Sequence, residues 1–225
     1  MRTTESRPAA SGSGRLVQIG AVLWVAVLQY FVLLLVVQNR WTTPYSWVRN
    51  AISDLGAATC RYSDSVETWV CSPWHRAANV SWFLAGLCLT AGALLLMRGW
   101  SASGIARTGL GLYALAGVGL MVVALNPEDV RAGWHVAGAV AAIVGGEVAM
   151  IVLGFALLRA DRLRGLGLLG VGAGVVAVVG LILMLARVGG AAHFGLWERI
   201  AAFPVLLYAI VCGLRILIDR AGRWR

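Results

Sequence analysis

The sequence predicts an all-α, polytopic transmembrane helical bundle of about six helices with both termini cytoplasmic. Three observations carry that expectation. Of 225 residues, 60% are hydrophobic and only 13% are charged, and the mean hydropathy is +0.80. So few charges do not cover a water-soluble domain of this size. Apolar runs long enough to cross the hydrocarbon recur about six times. The basic residues, all arginine because the chain has no lysine, are distributed unevenly between the links.

In chain order, "MRTTESRPAASGSGR" at 1–15 is rich in Ser, Gly, Thr and Pro and reads as a disordered cytoplasmic tail. The apolar run at 16–38 is longer than the core of a signal peptide. It ends in "VVQNRW" with no small-residue cleavage site, so it reads as the first membrane helix. Further spans are expected at 77–97, 105–125, 134–158, 165–187 and 198–218, followed by a basic cytoplasmic tail at 219–225. Residues 16–218 therefore form one bundle with an external loop at 39–76. Glycine runs, "GLGLYALAGVG" and "GLGLLGVGAG", place small residues where the third and fifth spans approach their neighbours.

With the N-terminus inside, twelve arginines fall on the cytoplasmic side and seven outside. The net charge of +9 is then a topology signal, with adhesion to anionic membrane lipids as a second consequence. Binding to nucleic acid is not expected, because no basic patch is interleaved with exposed aromatics on a folded surface. The composition points to a multi-pass protein of the cell membrane.

The loop at 39–76 is the one long connection. Its Trp and Tyr residues suit the headgroup level, and Ser46–Leu55 reads as a short interfacial or re-entrant helix. Cys60 and Cys71 both lie in it and would face an oxidising compartment, so a disulfide capping the bundle entrance is expected. A redox or metal pair is the competing reading, but C-x10-C is not C-x-x-C. In "SPWHR", Ser72 can cap and Pro73 can open the second span, which places His75 in its first turn.

All three histidines, His75, His135 and His193, fall on the external side of this topology. Three imidazoles meet the minimum for a divalent metal such as zinc, with Asp54, Glu128, Asp129 or Glu198 as a further oxygen ligand. No local ligand pair is present, so such a site needs tertiary convergence. Acid/base work by His135 and plain interfacial hydrogen bonding are the alternatives. In "RNAISDLG", Asn50, Ser53 and Asp54 can pin backbone groups of a re-entrant turn, or Asp54 can face an external cavity.

The phrases "NAISDLG", "LNPEDV" with "WHVAGA", and "GLWERI" ahead of the last apolar run resemble the DUF998 family of small integral membrane proteins. The resemblance spans about 45–218 and rests on the order and spacing of several short motifs. It implies a single domain of six or seven helices and leaves the reaction open. Carried over residue by residue, it marks Ser53, Asp54 and Gly56, then Pro127 and His135, then Glu198 and Arg199. This chain has Asn126 where relatives often have Phe, and its paired cysteines look like a local elaboration.

Two further groups have paired readings. Glu147 lies twelve residues beyond His135, about 18 Å along one helix. It either lines a solute or proton path or makes a structural hydrogen bond. Glu198 either serves a site or complements the positive end of the last helix.

The favoured function is a membrane-embedded enzyme, a hydrolase or transferase, acting on a lipid or lipid-linked substrate at the extracytoplasmic face. Asp54, His135 and Glu198 are its catalytic candidates. Ser53, Arg199 and Glu147 are the substrate-binding candidates, with Arg199 on a phosphate or carboxylate headgroup. A transporter or binding protein for a small molecule or lipid is the alternative, and a structural membrane protein is the third reading.

Overall fold

Six apolar helical spans of 22 to 29 residues build the molecule. The computed structural model describes residues 10–99 and 103–219. Of the expected tails, residues 1–9 and 220–225 lie outside the described residues, whereas residues from Ala10 onward are helical.

The first span is two pieces, α1 (Ala10–Ala26) and α2 (Gln29–Gln38), where the sequence suggests one continuous helix. At the break the backbone switches to shorter bonds, with Val27 N–H donating to the Trp24 carbonyl and Leu28 N–H to that of Val25. Gln29 sits just beyond it. Its amide donates to the Ser81 carbonyl at 2.8 Å and accepts the Ser81 hydroxyl at 2.9 Å. A primary amide at membrane depth needs such partners because lipid tails supply none.

The loop that follows differs from its expected form. Instead of one short helix over Ser46–Leu55, the chain makes a turn at 47–49 and a single 3-10 turn at Ser53–Gly56. Side chains divert the backbone from helix. Asn50 Oδ1 accepts the Ser46 N–H, and Asp54 Oδ2 accepts the Ala51 N–H. A hairpin of β1 (Arg61–Ser63) and β2 (Thr68–Val70) then projects from the loop, a piece of sheet that the sequence reading did not foresee. Cys60 and Cys71 flank it at bonding distance, with Cα atoms 4.2 Å apart. Val66 and Val70 pack with Ala51 and Ala57 into a small apolar cluster beside Trp41 and Phe194, which seats the hairpin on the bundle.

The remaining spans are α3 (His75–Gly99), α4 (Gly104–Leu125), α5 (Ala132–Leu158), α6 (Arg164–Leu185) and α7 (Phe194–Ile218). They pack in chain order as a ring, which α7 closes by packing against α1. Small residues set the close approaches. A Cβ at Gly119 of α4 would lie 2.6 Å from the Ala142 nitrogen, and one at Gly138 of α5 would lie 2.8 Å from the Gly119 carbonyl oxygen. Glycine at these crossings lets backbones touch, which is how helices gain packing where no water drives them together.

Six crossings return the chain to the face from which it starts. The loop, the α4–α5 link and the α6–α7 link share the opposite face, tied by Arg61 to Glu128 at 3.0 Å and by Arg187 to the Ser65 carbonyl at 3.2 Å.

Candidate functional site

The turn at 47–56 is held against α3 and α7 by polar contacts that converge from both sides. On the α3 side, the Ser72 hydroxyl donates to the Leu55 carbonyl at 2.7 Å and the Asn79 amide to that of Gly56 at 3.0 Å. On the α7 side, the N–H groups of Gly195 and Leu196 donate to the carbonyls of Arg49 and Val48. These are the orphan donors of a helix start, satisfied here by the loop. Gly195 permits the contact, since a Cβ there would collide with the Asn50 carbonyl.

Arg199 is the centre of this clamp. Its Nη1 donates to the carbonyls of Trp47, Asn50 and Gly195 at 3.0, 2.7 and 2.8 Å, and its Nη2 to the Tyr45 hydroxyl. The guanidinium also lies over the Trp47 and Tyr45 rings, 5.1 and 5.6 Å from their centroids. Tyr45 in turn donates to the Ala51 carbonyl. Burial pushes the Tyr45 hydroxyl well above its ordinary value, so it stays a neutral donor. Arg199 lines neither cavity of the loop face, and its η nitrogens bind protein groups. The sequence expectation set Arg199 on a headgroup; here the loop carbonyls and the Tyr45 hydroxyl take up its η nitrogens. Tyr45 is a partner that sequence reasoning missed.

Glu198, one residue earlier on α7, points the other way. The Ile52 N–H donates to its Oε2 at 2.5 Å. Asp54 is 1% exposed, and its Oδ2 accepts the Ala51 N–H at 2.9 Å and the Asn50 amide at 3.2 Å. Burial and then the neighbouring charge of Glu128 push Asp54 up to about 7, partly offset by the Asn50 hydrogen bond. His135, 7% exposed in the first turn of α5, has Nδ1 2.9 Å from the Asn126 carbonyl. A carbonyl only accepts, so Nδ1 carries a proton, which leaves Nε2 as the ring nitrogen free to exchange one.

Asp54, His135 and Glu198 all line one cavity of about 420 Å³, together with Ser53, Arg61 and Glu128. A smaller cavity of about 80 Å³ lies against it. It shares Ser53, His135 and Glu198 and is otherwise walled largely by apolar groups, among them Trp82, Leu89 and Leu206. Asp129 does not join the cavity. It accepts the N–H groups of Ala58 and Thr59 and the Thr59 hydroxyl. Partial burial opposes its ionisation, but those hydrogen bonds prevail and hold its carboxyl below the usual carboxylate range.

The three histidines are not brought together. His75 Nδ1 contacts the Ser72 carbonyl and His193 Nδ1 the Gly189 carbonyl, each at its own helix start, and neither lines the cavities that His135 lines. Among the described residues no group of three or more His, Cys, Asp or Glu is placed to hold a metal ion. The three-histidine zinc set is therefore not formed, because His75 and His193 sit at other helix starts, away from the cavities that His135 lines. Glu147 is buried on α5, lines neither cavity, and leaves Oε1 without a hydrogen-bond partner.

The fold and this site define a multi-pass membrane protein with a cavity, polar at its loop end, beneath a clamped loop. The chain belongs to the family described as "Protein of unknown function (DUF998)", which matches residues 9–215. No curated protein and no solved structure matches it.

Proposed function

We propose that this protein is a membrane-embedded hydrolase or transferase that acts on a lipid or lipid-linked substrate at the extracytoplasmic face. The observation that carries this reading is the meeting of Asp54, His135 and Glu198, from three separated segments, on one cavity with an apolar extension. The twelve-to-seven arginine bias supports an outside position for that face.

The chemistry follows from the protonation each group holds. His135 offers a lone pair at Nε2 and takes the proton of an attacking water or acceptor hydroxyl. Asp54, pushed up to about 7, holds a proton near neutrality and passes it to the leaving group. Glu198, with one oxygen fixed by Ile52, orients the nucleophile, and Ser53 contacts the substrate between the two cavities. Transport remains the second reading, favoured by the unpartnered oxygen of Glu147 in the bundle.

The test is lipid turnover by reconstituted protein, followed by mass spectrometry of products. His135→Ala and Asp54→Asn should each lower the rate by about 10²- to 10⁴-fold, the usual contribution of a positioned acid or base. Wild-type rates in both variants would sink the proposal.

A further inference from the structure

We infer that the cavity takes a membrane lipid whose headgroup carries a hydrogen-bonding ammonium, admitted sideways from the bilayer between α5 and the α6–α7 pair. The inference rests on the enzyme reading for the polar end of the site and names the substrate class that end would hold.

The larger cavity is not walled off from the membrane. Its α5 edge is Val136, Val140 and Val144, which are 59%, 54% and 38% exposed, and its α6 edge includes Leu181 and Leu185, the latter 71% exposed. The three valines are spaced four residues apart and make one stripe about 12 Å long. On a membrane helix such a stripe meets lipid tails, so the cavity runs without interruption from hydrocarbon to the polar groups at the loop face. A water-soluble solute makes no use of the stripe. A lipid uses both ends, with a tail along the valines and a headgroup at Asp54.

The charge at the polar end selects the headgroup. Asp54, Glu128 and Glu198 line it against a single guanidinium, Arg61, whose Nη2 is bound to Glu128 at 3.0 Å. Arg199 is turned away onto the loop carbonyls. Two acceptors then have no protein partner. Asp54 makes its hydrogen bonds through Oδ2, leaving Oδ1, and His135 makes its contact through Nδ1, leaving Nε2. Acceptors left open on a cavity wall take donors from a ligand, and beside an ionised carboxylate a charged donor is the strongest. A primary ammonium supplies three N–H groups and a positive charge. Arg61 at the same cavity suits the phosphate of a zwitterionic headgroup, whereas a bare anionic lipid meets Glu128 and Glu198 there and, once Asp54 has given up its proton, a third carboxylate.

The experiment uses the full chain in bilayer nanodiscs doped with lipids that carry a photoreactive group in the acyl chain. The headgroup is phosphoethanolamine, phosphocholine or phosphoglycerol. Peptides containing 136–144 and 181–185 should be labelled by the phosphoethanolamine probe about tenfold more than by either other probe, a difference of about 1.4 kcal/mol. Val140→Trp should fill the groove and remove that labelling. Labelling of the outward surface of α1 and α2 around Val22 and Val32 should be unchanged, which controls for folding. The double variant Asp54→Asn with Glu198→Gln should label equally with all three probes.

Equal labelling of the wild type by the three headgroups overturns the inference. So does labelling of 136–144 that is no stronger than that of α1 and α2. The readout needs no turnover. Selective labelling without lipid products would therefore count against the enzyme alone, and turnover with unselective labelling would count against the ammonium lipid alone.

Discussion

The Ile52 N–H donates to Glu198 Oε2 at 2.5 Å, joining the loop turn to the first turns of α7 across 146 residues of sequence. The next residue, Arg199, grips the same turn from its other side through the Asn50 carbonyl. Neighbouring side chains of opposite charge thus fix one short backbone segment, one facing the cavity and one behind it.

Arg199 should behave as a structural residue. Arg199→Ala leaves three carbonyls and a tyrosine hydroxyl without their donor, and the expected loss is on the order of 3–5 kcal/mol. Arg199→Lys should recover only part of it, because an ammonium does not reproduce the planar fork. Thermal unfolding in detergent measures both. A melting temperature equal to wild type in the alanine variant would refute the clamp.

The pH dependence of stability should carry the mark of Asp54. Its carboxyl is pushed up from 3.8 to about 7 in the folded protein. The folded state therefore binds more protons than the unfolded state between those values. The stabilising contribution is fully present below 3.8 and is lost as pH rises through about 7. Asp54→Asn should flatten unfolding profiles between pH 4 and 8 as well as slowing turnover. An unchanged slope in the variant would show that another group is responsible.

The Cys60–Cys71 link closes an 11-residue separation around the hairpin. Replacing both by serine should destabilise the protein by about 2–4 kcal/mol, the usual range for such a constraint. It should also increase protease cleavage near 61–70. Digestion patterns identical to wild type would mean that the packing of Val66 and Val70 alone holds the hairpin.

In the first span, the reciprocal Gln29–Ser81 pair should be coupled. A double-mutant cycle with Gln29→Leu and Ser81→Ala is expected to give about 0.6–1.7 kcal/mol, the scale of polar pairs between membrane helices. Strict additivity would indicate that each side chain finds other partners.

Much of the site was legible from short motifs. Ser53, Asp54, His135 and Glu198 stood out because polar groups at the ends of apolar spans are conspicuous, and all four line the cavity. Arg199 was legible as important but not in its role. Its sequence neighbours cannot show that the Trp47 and Asn50 carbonyls come within reach, nor that Tyr45 is its partner. The hairpin was missed because strands of three residues are too short to show an alternating pattern.

What the sequence by itself determined is the solvent and the count: a membrane protein, six spans and a long loop with paired cysteines. Each follows from composition and from the local length of apolar runs, which set how a segment partitions before it meets any other. What only the tertiary structure decided is which polar groups share a space. It parted His75 and His193 from His135, turned Arg199 onto the loop, and left the cavity edge at Val136, Val140 and Val144 exposed. Those outcomes depend on which helices pass close to one another, and such crossings follow from packing across the whole chain.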